Sequence, residues 1–140
     1  MRPPTRPHVN RPTPRALAIQ RIEAEHQRQI EVESWSSEHD DGHTDGEMMS
    51  AAIAYYMHAK MGRDPVVLRA DGAPLGWPWE AKWWKPKSPS RDLERAGALV
   101  QAERARLLRQ NHAAYVGHCD QKFNLIVDAL AALTTASAHA

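Results

Sequence analysis

Cysteine is almost missing from this 140-residue chain. The one present, Cys119, has no partner for an internal disulfide, which points to a reducing, cytoplasmic setting. A dominant charge is missing too: 18 Lys and Arg stand against 17 Asp and Glu, for a net +1. Such a balance provides no global field for gripping nucleic acid or an anionic membrane, so neither is expected as a partner. Long apolar runs are also lacking. The stretch from Ala129 to Leu133 falls far short of the roughly 20 residues a membrane-spanning helix needs. No apolar core follows the basic residues of Met1 to Arg15, so that segment does not read as a secretory leader. What remains, 42% apolar and 25% charged residues, reads as one soluble globular domain.

Proline is present, but unevenly. Residues 1–15 hold five prolines and four arginines with no acid, and read as an extended tail before a single domain over 16–140. From Ala16 to Glu33, Ile19, Ile22, His26 and Ile30 recur at helical spacing. A second helix is expected from Thr44 or Asp45 to Lys60, with Met48, Met49, Ala52, Ile53 and Tyr56 facing inward. Residues 62–90 break the pattern with prolines, glycines, a β-like run at Val66 to Leu68 and a turn signal at Asp71-Gly72. This insertion carries four of the five tryptophans, Trp77, Trp79, Trp83 and Trp84, interleaved with Lys82, Lys85 and Lys87. A third helix is expected after Ser90, as N-cap, through Arg109, with Leu93, Ala96, Val100 and Leu107 inward. The last spans 113–133, with Tyr115, Cys119, Phe123, Ile126, Leu130 and Leu133 on one face. The expected fold is therefore an all-α bundle of about four helices. Its core is small enough to favour completion by a second copy, as a homodimer or homotetramer.

Acids crowd one segment. Glu23 to Glu47 contains nine carboxylates against a single Arg28, a formal −8. Crowding of this kind raises pKa values and costs stability unless water, counter-charges or a metal offsets it. A solvated acidic surface is the ordinary explanation. The alternative is a hard cation such as Mg²⁺, which takes oxygen ligands in octahedral geometry. Glu38 and Asp41 stand at i and i+3, Glu47 opens the next helix, and Asp92 opens the one after the insertion. Three elements are thereby expected to deliver acids to one point inside the bundle.

The run Arg28-Gln29, Glu33, Trp35, Glu38-His39-Asp40-Asp41, His43, Gly46-Glu47, then Trp77-Pro78-Trp79 and Asp92-Leu93 through Glu103, resembles the MazG-like all-α nucleoside triphosphate pyrophosphohydrolases, in a phage-encoded branch. That superfamily carries ExxE on one helix and ExxD on another. Here Thr44 stands where the first glutamate of ExxE belongs, the one ExxD, Glu38 to Asp41, comes early, and Asp92 is followed by Arg95. The resemblance implies a Mg²⁺ site, with Mn²⁺ able to substitute, on Glu38, Asp41, Glu47 and Asp92, and Glu33 as a fifth ligand or a partner of one. It also implies hydrolysis of a nucleoside triphosphate, dGTP or a related purine nucleotide, to monophosphate and pyrophosphate. In that scheme Glu38 takes the proton of the attacking water, while Arg28, Arg95 and lysines such as Lys82 and Lys85 offset phosphate charge.

Base recognition needs a flat apolar surface and a few edge hydrogen bonds. Trp35 and Trp83 with its neighbours are candidates for stacking, and Gln29 or Asn111 for the edge, although tryptophans in a short loop as often pin it to the core. Two other readings stand beside this one. His39-Asp40 is the doublet of HD-type triphosphohydrolases, with His26 and Asp92 or Asp128 as nominal partners. A non-catalytic module binding nucleic acid or a protein partner is the second.

Overall fold

The computed structural model describes residues 11–62 and 67–138. The tail residues 1–10, and Val66 of the expected β-like run, lie outside them. Among the described residues the fold is all-α: α1 (Pro14–Val32), the short α2 (Ser37–Asp41), α3 (Glu47–Met61), α4 (Pro89–Arg109) and α5 (Val116–Ala138), with single 3₁₀ turns at Ala81–Trp83 and Ala113–Tyr115.

Proline begins two of these helices where the sequence reading had kept it outside them. Thr13 caps α1 by accepting from the Ala16 amide, and Pro14 follows in the first turn. Ser88, not Ser90, caps α4 through the Arg91 amide, with Pro89 next. A first-turn proline lacks only an amide that would have no helical partner anyway, so it starts a helix it could not continue. Neither Thr44 nor Asp45 caps α3: that place falls to Gly46, at φ 75°, a left-handed conformation that costs glycine little. The end of α4 is closed by Asn111 at φ 61°, with His112 N–H donating to the Leu107 carbonyl at 2.7 Å in a Schellman arrangement.

The long helix α4 is the axis of the fold. It packs against α3 on one side and against α1 and α5 on the other, while α2 touches its C-terminal end. Leu93, Ala96, Leu99, Val100 and Leu107 of α4 join Ile22, Met48, Ile126, Val127 and Leu130 in one core. At Gly97, α1 comes so close that a Cβ would meet the Ile22 side chain at 2.6 Å. The α1 stripe differs from the expected one: its buried positions are Ala18, Ile22, Glu25 and Gln29, and Ile30 is exposed. On α3, Ile53 is exposed and Ala51, Ala54 and Tyr55 are buried; Tyr115, expected on the last helix, stands in the 3₁₀ turn before α5, and both it and Leu133 of α5 face outward. Two buried polar residues on α1 thus point at α4, and this is where the candidate site forms.

The described residues of the insertion fold onto α3 and form no strand beyond the isolated Leu68–Pro74 bridge. The Asp71-Gly72 turn is present, closed by the Arg69 amide donating to the Ala73 carbonyl at 2.7 Å. The Arg69 guanidinium grips Asp71 and also donates to the Trp77 and Trp79 carbonyls at 2.8 and 3.0 Å, tying the hairpin to the tryptophan segment. Trp77 is the anchor. It is buried, its indole N–H donates to the Glu80 carbonyl, and its ring meets Tyr55, Trp79 and Trp84 at 5.0–5.5 Å.

Candidate functional site: a tryptophan-lined cleft

The four acids expected to share a metal do not meet in one chain. Asp92 is fully buried near the start of α4, accepting from His58 Nδ1 at 3.0 Å and from the Lys87 amide at 2.7 Å. Asp41 lies at the far end of the same helix, bound to Arg109 at 2.7 Å. Seventeen residues of α4 separate the two anchor points, about 25 Å at the helical rise. Because α3 runs antiparallel to α4, Glu47 starts near the Asp41 end while His58 reaches Asp92 eleven residues later, about 16 Å along α3. Glu47 is engaged by His43 Nδ1 at 2.6 Å and by the Asp45 amide at 2.8 Å. Its own burial would push its pKa up, but these hydrogen bonds outweigh that and hold it below the ordinary value. Glu38 is exposed and makes no ion pair among the described residues, where no group of three or more His, Cys, Asp or Glu is placed to hold a metal. Helical spacing did not place Glu38 and Asp41 inward, since Asp40 is the buried acid of α2, and it could not say which end of an antiparallel neighbour each acid would reach. The donors for Mg²⁺ or Mn²⁺ therefore do not fit within a single chain.

The HD set is only partly assembled: His26 lies close enough to Asp40 for its charge to favour the ionised carboxylate, but neither nominated second acid joins them. Asp40, not Asp41, is the buried acid of α2. Burial raises its carboxyl pKa, and the bond from His39 at 3.3 Å offsets that only in part. Asp92 belongs to the distant His58 pair, and Asp128 binds Arg15 on the exposed face of α5.

What the chain does assemble is a cleft of about 770 Å³ between the end of α1, the α2 segment, α3, the insertion and α4. Ser34, at φ 59°, turns the chain out of α1, and the Trp35 amide returns to the Gln29 carbonyl at 3.1 Å, which aims Trp35 at the cleft. From there the rings run on at helical spacing: Trp35 stacks on His39, 5.8 Å between centroids and 6° between planes, and His39 meets His43 at 4.9 Å. His43 in turn faces Trp79 at 5.3 Å. Tyr55 forms the floor with Trp77, burial raising its hydroxyl pKa.

Charge enters from one side. Arg28, Lys85 and Arg95 line the cleft, against Glu33, which is bound to Arg28, and Glu80, whose nearest cation is Lys82 at 3.5 Å. Of the residues nominated for substrate, Arg28, Gln29, Trp35, Trp83 and Lys85 all line this cleft. Lys82 is not among the lining residues; it sits over the Trp83 ring at 5.3 Å beside Glu80. Arg95, nominated for phosphate charge, is a lining residue, whereas Glu38, nominated as proton acceptor, is not. Asn111 lies past the far end of α4. Sequence reasoning missed His39, His43 and Tyr55 as cleft residues. The available signal was Trp35, His39 and His43 at i, i+4 and i+8. It also missed Glu25 beneath Arg28.

The chain matches no family model, no curated protein and no solved structure.

Proposed function

We propose that the cleft binds a purine nucleoside triphosphate and that the protein hydrolyses it to nucleoside monophosphate and pyrophosphate. The observation that carries this reading is the pairing, in one 770 Å³ cleft, of aromatic walls with a cationic corner of Arg28, Lys85 and Arg95. A nucleotide is a flat aromatic ring joined to a polyanion, and the volume lies within the usual range for small-molecule sites. Trp79 and Trp83 offer ring faces for the base, and the buried Gln29, whose Nε2 donates to Glu25 at 3.3 Å, lines the same cleft. The resemblance in sequence extends to MazZ, the phage dGTP pyrophosphohydrolase of 2-aminoadenine DNA synthesis, and supplies both dGTP as the nucleotide and a phage-infected cytoplasm as the setting.

Within the chain, His43 is the group placed to handle a water. Its Nδ1–H donates to the Glu47 carboxylate, which fixes the tautomer and leaves Nε2 as an acceptor on a cleft-lining ring. A water held there loses its proton to Nε2 as its oxygen attacks phosphorus. The bond to the departing pyrophosphate breaks, and the guanidinium groups of Arg28 and Arg95 offset the charge that leaves. No step is assigned to Mg²⁺ or Mn²⁺, since no ligand set among the described residues of one chain supports one. Exposed Ile53, Met57 and Met61 on α3 support the expected homo-oligomer. Among the described residues no helix is long and apolar enough to cross a membrane.

The test is a product assay. The protein is incubated with each ribo- and deoxyribonucleoside triphosphate and MgCl₂, and the products are resolved. Monophosphate plus pyrophosphate is expected from purine substrates, with a fall of about a hundredfold or more in His43→Gln. Release of intact triphosphate favours the HD-type alternative. No turnover of any nucleotide removes the enzymatic reading and leaves a binding module.

A further inference from the structure

Glu25 is the most completely enclosed carboxylate on α1, its side chain 0% exposed, and it is shared among three arginines. Arg28 Nε donates to it at 2.5 Å, Arg91 Nη2 at 2.8 Å, and Arg95 Nε stands 4.0 Å away. One buried negative charge thus fixes three guanidinium groups whose own charges it cannot cancel. Glu33 takes part of the excess by binding Arg28, but Glu94 is divided between Arg91 and Arg21, so four guanidinium groups stand against three carboxylates. Arg95 is left over. Its Nε is enclosed and has no hydrogen-bond partner, its Nη1 donates to the Lys85 carbonyl at 2.7 Å, and its guanidinium lies 5.8 Å from the centre of the Tyr55 ring. Lys85, exposed and joined to Arg95 through its carbonyl, has no carboxylate partner among the described residues. The Nε stands toward Glu25 and is closed to a ligand, so the rest of this cleft-lining guanidinium carries the charge, and a fixed arginine next to a lysine suits phosphate oxygens.

We infer that this Glu25-centred fan, acting through Arg28 and Arg95 with the neighbouring Lys85, is a polyphosphate clamp that binds its ligand directly, with no divalent cation bridging protein to phosphate. The inference rests on the nucleotide reading of the cleft and gives that ligand a direction, phosphates toward α4 and base toward Trp79 and Trp83. It follows from where the charges stand: the cations face the cleft, while Asp41 and Asp92 are taken up by donors elsewhere and Glu47 stands behind the cleft-lining His43 as its hydrogen-bond acceptor. Glu25 is a positioning residue in this scheme, because it touches the arginines and not the ligand.

Inorganic tripolyphosphate is the probe, titrated by calorimetry into the full chain in EDTA, with dGTP as competitor. Saturable binding is expected, weakened by added salt, displaced by dGTP, and about tenfold weaker in Arg95→Gln, which removes a charge-assisted contact. Lys85→Gln changes an exposed side chain whose other contact is with the half-exposed Trp83 ring, and carries the test if Arg95→Gln fails to fold; a several-fold loss is expected. Absence of binding in EDTA, or equal binding by wild type and Lys85→Gln, overturns the clamp. Turnover of dGTP with MgCl₂ is read separately. Turnover without binding in EDTA leaves the hydrolase reading standing and removes the clamp, and binding without turnover does the reverse.

Discussion

Two enclosed carboxylates on either flank of α4 behave in opposite ways. Glu103 and Arg106 are both buried, at 3% and 4% exposure, and close on each other at 2.6 Å, with Gln110 taking a further guanidinium N–H. One charge meets one charge, and nothing is left over. Glu25 meets three arginines and stays outnumbered, and its surplus faces a cavity. A balanced buried pair contributes to a unique packing arrangement, whereas an unbalanced cluster stores positive charge that only a ligand can neutralise. That contrast is the main physical reason for placing the site at the Arg95 end of the helix.

The balanced pair gives the largest expected effect. Glu103→Gln strands an arginine that has almost no access to water, and the expected loss is about 3–5 kcal/mol by urea unfolding. Replacing both partners together, Glu103→Leu with Arg106→Met, is expected to recover most of it, since an apolar pair of similar volume leaves no buried charge behind. A double variant as unstable as the single one would show that Glu103 and Arg106 do more than neutralise each other.

Glu25→Gln is expected to cost less, about 1–3 kcal/mol, because its three partners keep 32%, 28% and 13% of their side-chain surface in solvent and can be hydrated. The same change should loosen polyphosphate binding by releasing the arginines from their fixed directions, an effect a purely structural carboxylate would not have. Acid titration separates the two roles further. Burial by itself would push the Glu25 carboxyl up, but hydrogen bonds and charge from Arg28 and Arg91 overcome it and hold the pKa below the ordinary value. A depressed folded-state pKa contributes stability above the unfolded value, about 4.3, and that contribution disappears as pH falls through the lower folded value. The gap in unfolding free energy between wild type and Glu25→Gln is therefore expected to be widest near neutrality and to narrow steadily below about pH 4. A gap that stays constant down to pH 2 contradicts the ionised role.

Much of the helical framework was legible from periodicity, because Leu93, Ala96 and Val100 on α4 and Cys119, Ile126 and Leu130 on α5 recur at helical spacing and are buried. Cys119 fits the same account, its thiol pushed up to about 11 by burial. Periodicity failed on α1 for a physical reason: its inward face includes Glu25 and Gln29, and a hydrophobic pattern cannot register a buried ion cluster whose partners lie more than sixty residues away. The acid quartet failed differently. Spacing along one helix did not bring Glu38 and Asp41 inward, and the antiparallel course of α3 and α4, which decides which acids become neighbours, put Asp41 and Asp92 at opposite ends. The tryptophans were legible as a group and not one by one, since Trp77 is 3% exposed and Trp83, six residues on, is 55% exposed.

That last difference supplies the smallest stability effect and a control for the whole comparison. Trp83 sits at the rim of the Glu25 cleft, half of it already in water, with Lys82 and Lys85 over its ring. Leu108 occupies a similar position toward the Glu103 end of α4, at 47% exposure. Neither side chain has much to lose on unfolding, so Trp83→Ala and Leu108→Ala are each expected to shift stability by about 0.5 kcal/mol or less. Binding should tell them apart. Trp83→Ala removes a ring face worth about 0.5–1.5 kcal/mol to a stacked base, roughly a two- to tenfold weaker dGTP titration, and should leave tripolyphosphate unaffected because that probe has no base. Leu108→Ala should leave both titrations unchanged. Equal losses of dGTP and tripolyphosphate in Trp83→Ala would mean that Trp83 acts by holding Lys85, and would move the base away from this rim.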